Sequence, residues 1–245
     1  MQNLRGVCAM GVMAKAPLAG RAKTRLCPPL HPAQAASLSA AFLRDISENI
    51  TLAARDAPIQ GFVAYAPAGE EQQFDGLLAD GTGLVLADGS PPMPHDVRGF
   101  GRCLLHAAQA LFALGVGAVC LVNADGPTLP TEYLIAAARA LSKPGERIVL
   151  GPADDGGYYL LGMQQPHPHL FADIAWSTQS VAATTRARAT TLGLEVVMLP
   201  AWYDVDDVDS MNRLIAGDDG GYVAPATNAW IDRNGMRARL NDAAQ

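Results

Sequence analysis

The stretch KAPLAGRAKTRLCPPL, Lys15–Leu30, decides how this chain is read. It follows the apolar run VCAMGVM (7–13) and precedes a long alanine-rich segment. An apolar run, a loop broken by Gly and Pro, and a helical pattern make a strand, a turn and a helix, and such a turn delivers backbone N–H groups to an anion. The chain has three lysines. Two of them, Lys15 and Lys23, lie here together with Arg21 and Arg25. In a chain of net charge -6, four cations within eleven residues call for a counter-ion, and a polyphosphate supplies one. A solvated turn without a ligand is the alternative. The spacing, with Lys15 at the strand end and Lys23 and Arg25 farther round the loop, favours the phosphate. No G-x-x-x-x-G-K-[ST] occurs, so an ordinary P-loop kinase or ATPase is not supported.

Outward from that loop, strands and helices alternate. Residues 7–13 read as a buried parallel strand and 31–55 as a long helix rich in Ala, Leu and Ile. Strands are expected at 59–67 and 83–89, a short helix over 70–78, a helix at 102–114 and a strand at 118–125. Thr131 is a candidate N-cap for the helix that follows, and RIVLGPA is the next strand. DDGGYYLLGM reads as a turn feeding a strand, and HPHLFADIAWST as an irregular insertion before a helix at 181–192. The strand LEVVMLP, the acidic loop AWYDVDDVDS and a short helix at 211–215 complete the regular part. The pattern implies an α/β, doubly wound, mostly parallel sheet flanked by helices, with ligands outside the carboxyl ends of the strands. A single nucleotide-binding transferase domain is expected over 1–216, followed by a peripheral tail over 217–245.

Composition sets the outer limits. Hydrophobic residues form 49% of the 245, enough for a sizeable core, yet no apolar run reaches the roughly 18 residues that span a bilayer. The N-terminal run reads as a strand rather than a signal peptide, so a cytoplasmic protein is expected. Cys8, Cys27, Cys103 and Cys120 form no C-x-x-C pair, and Cys8 and Cys120 sit in apolar runs as small buried residues do. A pI near 5.3 argues against a general nucleic-acid surface.

Carboxylates stand opposite the cations. Asp125 ends its strand before Gly126 and Pro127, where it can hold Mg²⁺ through one or two protein carboxylates, or can serve as a turn residue. Asp204, Asp206, Asp207 and Asp209 crowd one loop, where like charges repel unless a cation compensates them. Asp207 fits an N-cap and Asp209 a first helical turn, which leaves Asp204 and Asp206 as metal or acceptor ligands. In GPADDGGYYLLG, the paired glycines Gly156 and Gly157 permit close backbone approach, and Asp154 and Asp155 could orient an acceptor; a plain β-turn explains them equally well. His167 and His169 flank Pro168 without a third ligand and read as surface loop. Trp176 walls a pocket or staples the following helix.

Five motifs in order then carry a resemblance over about residues 5–216. They are K-x-P-x-x-G-x-x-K-T-R-L (Lys15–Leu26), D-x-P-x-L-P (Asp125–Pro130), L-G-P-A-x-D-G-G-Y-Y-L-x-G (Leu150–Gly162), W-S-T (Trp176–Thr178) and D-V-D (Asp204–Asp206). This set resembles the DUF2064 group of the nucleotide-diphospho-sugar transferase, or GT-A, superfamily, often labelled glycosyltransferases. The first and last motifs are also similar to phospholactate guanylyltransferases. The resemblance implies a GT-A fold, a nucleotide cradled by the first loop through Lys15, Gly20, Lys23 and Arg25, and Mg²⁺ or Mn²⁺ on Asp125, with Asp204 and Asp206 alongside. The turn in GPADDGGYYLLG, read from its own residues, is the expected acceptor site, with Asp155, Gly156, Gly157 and Tyr158 as candidates. Relatives carry an acidic residue and then Arg where this chain has Arg102 and Cys103 after Gly101, so Arg102 is the candidate for that nucleotide contact; Gly126 is a second departure.

The expected function is Mg-dependent nucleotidyl transfer from a nucleoside triphosphate to a phosphorylated or acidic small molecule, releasing pyrophosphate. Lys23, Arg25 and Asp125 would be catalytic, and loss of Lys15, Lys23 or Arg25 should lower turnover at least about 10²-fold. Glycosyl transfer from an NDP-sugar is the alternative, although its donor lacks a γ-phosphate and Asn123-Ala124-Asp125 is no D-x-D. A non-catalytic nucleotide-binding protein is the second alternative. The expected partners are the nucleotide and a small-molecule acceptor; a homodimer is compatible with this reading.

Overall fold

β1 (Cys8–Lys15) is the strand on which the sheet is built, pairing in parallel with β2 (Ile59–Ala66) on one side and β4 (Ala118–Asn123) on the other. The computed structural model describes residues 4–217 and 219–238. With β3 (Gly83–Leu86), β5 (Arg147–Pro152), β6 (Tyr158–Met163) and β7 (Glu195–Met198), it forms a seven-stranded sheet of order β3-β2-β1-β4-β6-β5-β7. β6 runs antiparallel to both β4 and β5, and every other pairing is parallel. This is the expected GT-A-type, Rossmann-like architecture.

Alternate residues of each strand serve two cores, as a pleated sheet covered on both faces requires. Cys8, Met10 and Val12 join the larger core beneath α1 (Pro32–Ala53), α3 (Thr131–Leu141) and α5 (Val208–Ala216). Ala9, Val119 and Leu121 face the smaller one beneath α2 (Phe100–Phe112) and α4 (Val181–Thr191). Gly11 lets α2 close on the sheet, since a Cβ there would lie 2.6 Å from Leu111 Cδ1. Cys8 and Cys120 are free and buried, their sulfurs 3.7 Å apart across β1 and β4. Among the described residues no helix is long and apolar enough to cross a membrane.

Two local expectations are corrected. Thr131 is not the N-cap of α3. That position is Pro130, and the Thr131 hydroxyl donates to Asn49 Oδ1 at 2.6 Å. Asn49 is buried on α1 and donates in turn to Leu129 O at 2.6 Å, so the pair pins the loop after β4. The segment after Gly217 was expected at the periphery. Instead α6 (Pro225–Arg233) packs on α1, with Trp230 and Ile231 in the larger core and Trp230 Nε1 donating to Ser37 Oγ at 2.7 Å. The fully buried carboxylate of Asp45 on α1 accepts from the N–H groups of Ala226 and Thr227 at 2.9 and 2.7 Å, satisfying the first turn of α6. Residues 218 and 239–245 of that segment lie outside the described residues.

Candidate functional site

β1 ends at the exposed Lys15, and Pro17 and Gly20, the latter at φ +77°, turn the chain across the carboxyl end of the sheet. Lys23 adopts a left-handed conformation (φ +48°), and a 3-10 turn, Thr24–Leu26, follows, anchored by the fully buried Leu26. α1 starts at Pro32, within one residue of the start expected at 31, and the 3-10 turn lies inside the basic loop.

The left-handed backbone aims Lys23 inward. Its side chain is 6% exposed, and its ammonium lies 2.6 Å from Asp125 Oδ1 and 3.2 Å from Asp206 Oδ1. It also donates to Val205 O at 2.5 Å and stands 5.3 Å from the centre of the Phe42 ring. Burial acts to lower the Lys23 pKa, but Asp125 and then Asp206 outweigh it, so the group is held above its ordinary value and stays charged. Arg25, 72% exposed, reaches Asp206 Oδ2 at 3.8 Å. Arg21 pairs with Glu70 at 2.5 Å.

The acidic wall holds itself together. Val205 N donates to Asp125 O at 2.8 Å, tying the D-V-D segment to the end of β4. Asn123 Nδ2 donates to Asp204 Oδ2 at 2.5 Å, while Asp204 Oδ1 is buried without a hydrogen-bond partner. Burial pushes the Asp204 carboxyl up to about 7; the Asn123 bond opposes this, and the charges of Asp125, Asp206 and Asp155 add to it. Asp207 caps α5, accepting from Ser210 N at 2.8 Å, and Asp209 lies in the first turn, as the sequence indicated.

Between the walls lies a cavity of about 370 Å³. Lys15, Arg21, Lys23 and Arg25 line one side and Asp125 and Asp206 another, while Ala14, Ala64, Ala66 and Ala87 at the strand ends leave an apolar recess. Cation loop and carboxylates therefore converge on one space. The geometry also suits a divalent cation. Asp125 and Asp206 already share one positive charge, Asp204 presents an orphaned oxygen, and all are hard oxygen donors. Among the described residues no group of three or more His, Cys, Asp or Glu side chains stands close enough to hold a metal ion, so Asp125, Asp204 and Asp206 do not form a three-ligand set. Two carboxylates completed by phosphate and water oxygens meet the needs of Mg²⁺.

Other expected contacts are not brought together. Arg102 is absent from the cavity lining; its Nε and Nη2 donate to Gly89 O at 3.1 and 2.7 Å, and Nη2 to Pro91 O at 3.1 Å, which makes it a brace for the loop after β3. Asp155 accepts from Gly157 N at 2.8 Å in a local turn, and Gly156 packs against Gln179, where a Cβ would fall 2.3 Å from its carbonyl oxygen. The Tyr158 hydroxyl is buried under α4 without a hydrogen-bond partner. None of Asp155, Gly156, Gly157 and Tyr158 lines the cavity. The sequence reading missed Phe100, which lines it at 49% exposure and meets Trp176 edge-on with ring centres 5.7 Å apart. Trp176 stands behind Phe100 and donates from Nε1 to Arg98 O at 3.1 Å. An aromatic at a helix start after a Gly was the available signal for Phe100.

Solved structures share this architecture. A protein from Desulfovibrio desulfuricans G20 described as a "putative nucleotide-diphospho-sugar transferase" superposes with a TM-score of 0.78 at 26% identity, over 96% of this chain and 97% of that one. A cytidylyltransferase from Leptospira borgpetersenii serovar Hardjo-bovis (strain JB197) gives a TM-score of 0.53 at 10% identity over 95% of each chain, a likeness of fold alone. No curated protein sequence matches this one. A family profile matches residues 49–178, a span that holds the D-x-P-x-L-P, Gly-Gly-Tyr and W-S-T motifs but neither the basic loop nor D-V-D. With that match across more than half its length, the chain belongs to the family described as "Uncharacterized protein conserved in bacteria (DUF2064)".

Proposed function

We propose that this protein is a divalent-metal-dependent nucleotidyltransferase, moving a nucleoside monophosphate from an NTP to a phosphorylated or acidic small molecule. The observation that carries the reading is one cavity with four cations on one side and Asp125 and Asp206 on another, linked through Lys23. Lys15 at the strand end and Arg25 at the rim would bind the β- and γ-phosphates, and Lys23 would turn from its carboxylates toward the phosphates as they enter. Asp125 and Asp206 would hold the cation. Mg²⁺ or Mn²⁺ supplies charge neutralisation at the α-phosphate. An acceptor phosphate oxygen attacks the α-phosphorus in line, the bond to the β-phosphate bridge oxygen breaks, and pyrophosphate leaves. The acceptor is its own nucleophile, so no activated Ser or Cys is required.

The name given to the Desulfovibrio protein favours a second reading, glycosyl transfer from an NDP-sugar. Such a donor carries two phosphates and no γ-phosphate, and the four cations on the cavity wall exceed what a diphosphate requires. A pyrophosphate-release screen of four NTPs against phosphorylated acceptors, with and without Mg²⁺ or Mn²⁺, separates the two. Pyrophosphate supports the first reading, free NDP with a sugar acceptor the second, and saturable binding without either product a non-catalytic protein. Thermal shifts with the same nucleotides should be lost in Lys23→Ala, since a ligand at 100 times its Kd adds about 2.7 kcal/mol to stability.

A further inference from the structure

Arg213, on α5, touches three separate segments around the acidic wall. Its Nη1 lies 2.9 Å from Asp154 Oδ2, in the turn between β5 and β6. Its Nε donates to Asp219 Oδ1 at 3.0 Å, in the segment leading to α6. The guanidinium carbon stands 3.8 Å from the centre of the Tyr203 ring, one residue before Asp204. The same segments meet through their backbones and through Tyr203. Asp154 N donates to Trp202 O at 3.1 Å, Tyr222 N to Thr128 O at 2.9 Å, and Thr128 Oγ1 to the Tyr203 hydroxyl at 3.3 Å. At Gly221 a Cβ would fall 2.0 Å from Thr128 O, so the segment before α6 lies directly on the loop that follows Asp125.

The Asp154 pair adds little to fold stability, and only the Asp219 pair, with that carboxylate 21% exposed, is more sheltered. The Arg213 side chain is 44% exposed and that of Asp154 53%, and ion pairs so exposed contribute about 0–1 kcal/mol. α5 is already held by its Asp207 cap and by the buried Met211, Leu214 and Ile215. What Arg213 adds to Tyr203, itself 3% exposed and packed on Trp202 with ring centres 5.6 Å apart, is a link to the Asp154 and Asp219 segments. A planar fork can stack on a ring and reach two carboxylates at once, which a lysine ammonium cannot.

We propose that Arg213 is a positioning residue: it fixes the Tyr203–Asp206 segment, and through it the Asp206 carboxylate, in the arrangement that takes up a divalent cation together with Asp125. This rests on the metal-and-nucleotide reading given above. A small shift of the segment at Tyr203 would move Asp206 relative to Asp125.

The test measures Mn²⁺ uptake by electron paramagnetic resonance on the full chain, as wild type, Arg213→Ala, Arg213→Lys and Asp154→Asn. Thermal shifts with the four NTPs in EDTA are recorded alongside. Arg213→Ala and Arg213→Lys should each weaken Mn²⁺ binding about tenfold, equal to about 1.4 kcal/mol. Melting temperatures should move by no more than about 4 °C, and the EDTA shifts, which report the basic loop, should be unchanged. Wild-type affinity in Arg213→Ala overturns the inference and leaves the metal reading standing. Wild type that takes up no Mn²⁺ ends both. Parallel loss of Mn²⁺ binding, EDTA shift and melting temperature shows a merely structural role and also overturns it. Should Arg213→Ala not fold, Arg213→Lys and Asp154→Asn decide, wild-type Mn²⁺ affinity in both being the overturning result.

Discussion

The basic and acidic walls of the cavity are built on opposite principles. The acidic wall is fixed from behind, by Val205 N on Asp125 O, by Asn123 on Asp204 and by the Asp207 cap of α5. The basic wall is an irregular loop whose inward side chain, Lys23, is held by the carboxylates it faces. One wall is preorganised and the other leans on it. A ligand bearing phosphates and a cation would replace that internal ion pair with two new ones, phosphate to Lys23 and metal to Asp125 and Asp206, so binding of the two components should be coupled.

Lys23→Met is the strongest attempt to break the contrast. It should lower turnover at least about 10²-fold and abolish the nucleotide-dependent thermal shift, yet raise affinity for Mn²⁺ alone, because the carboxylates lose their resident cation. Weaker binding of both components would show that the ammonium does not compete with the metal. Stability by urea titration should fall by about 2 kcal/mol, less than for a fully buried pair because both carboxylates are part-exposed and can rehydrate.

Asp204→Asn sharpens the acidic side. The Asp204 pKa is pushed from an ordinary carboxyl value to about 7 in the folded protein, so between about pH 4 and pH 7 the folded state binds more protons than the unfolded one. This contribution favours folding at low pH and is lost as pH rises through about 7. Measured in EDTA, Asp204→Asn should therefore gain on wild type from pH 4 to pH 7, by on the order of 2 kcal/mol, and hold a constant margin above. A margin independent of pH would refute the assignment.

Arg25→Ala is the smallest test. The sequence alone placed Arg25 level with Lys23, but at 72% exposure and 3.8 Å from Asp206 it is a rim charge. Its removal should raise the nucleotide Kd by about threefold, mostly at low salt, in keeping with an exposed pair. A loss as large as that of Lys23→Met would place Arg25 on the reacting phosphates.

The parts of the fold that were legible are those with local cause. Apolar runs bounded by Gly or Pro marked β1, β2, β4 and β5 within a few residues, and Asp207 and Asp209 declared the start of α5. The reversed direction of β6 had a local mark in the short Asp-Asp-Gly-Gly turn after β5, too short for a parallel crossover, and only its pairing with β4 depends on residues distant in sequence. Of the candidate site, the convergence of Lys15, Lys23, Asp125 and Asp206 followed from the rule that ligands gather at strand carboxyl ends. Arg102 did not, because the destination of a long side chain depends on where the Gly89 and Pro91 carbonyls come to rest. α6 was missed because the Gly-rich run before Pro225 looked like loop, and Trp230 and Ile231 were too few to show a helical period.

The docking of α6 on α1 has a consequence for biosynthesis. The helix nearest the start of the chain waits for the last one described before Ser37 and Asp45 find their partners. At about 5–20 residues per second, that interval is on the order of ten seconds or more. Throughout it the face of the first helix that bears Ser37 and Asp45 lacks the contacts that α6 supplies in the finished fold.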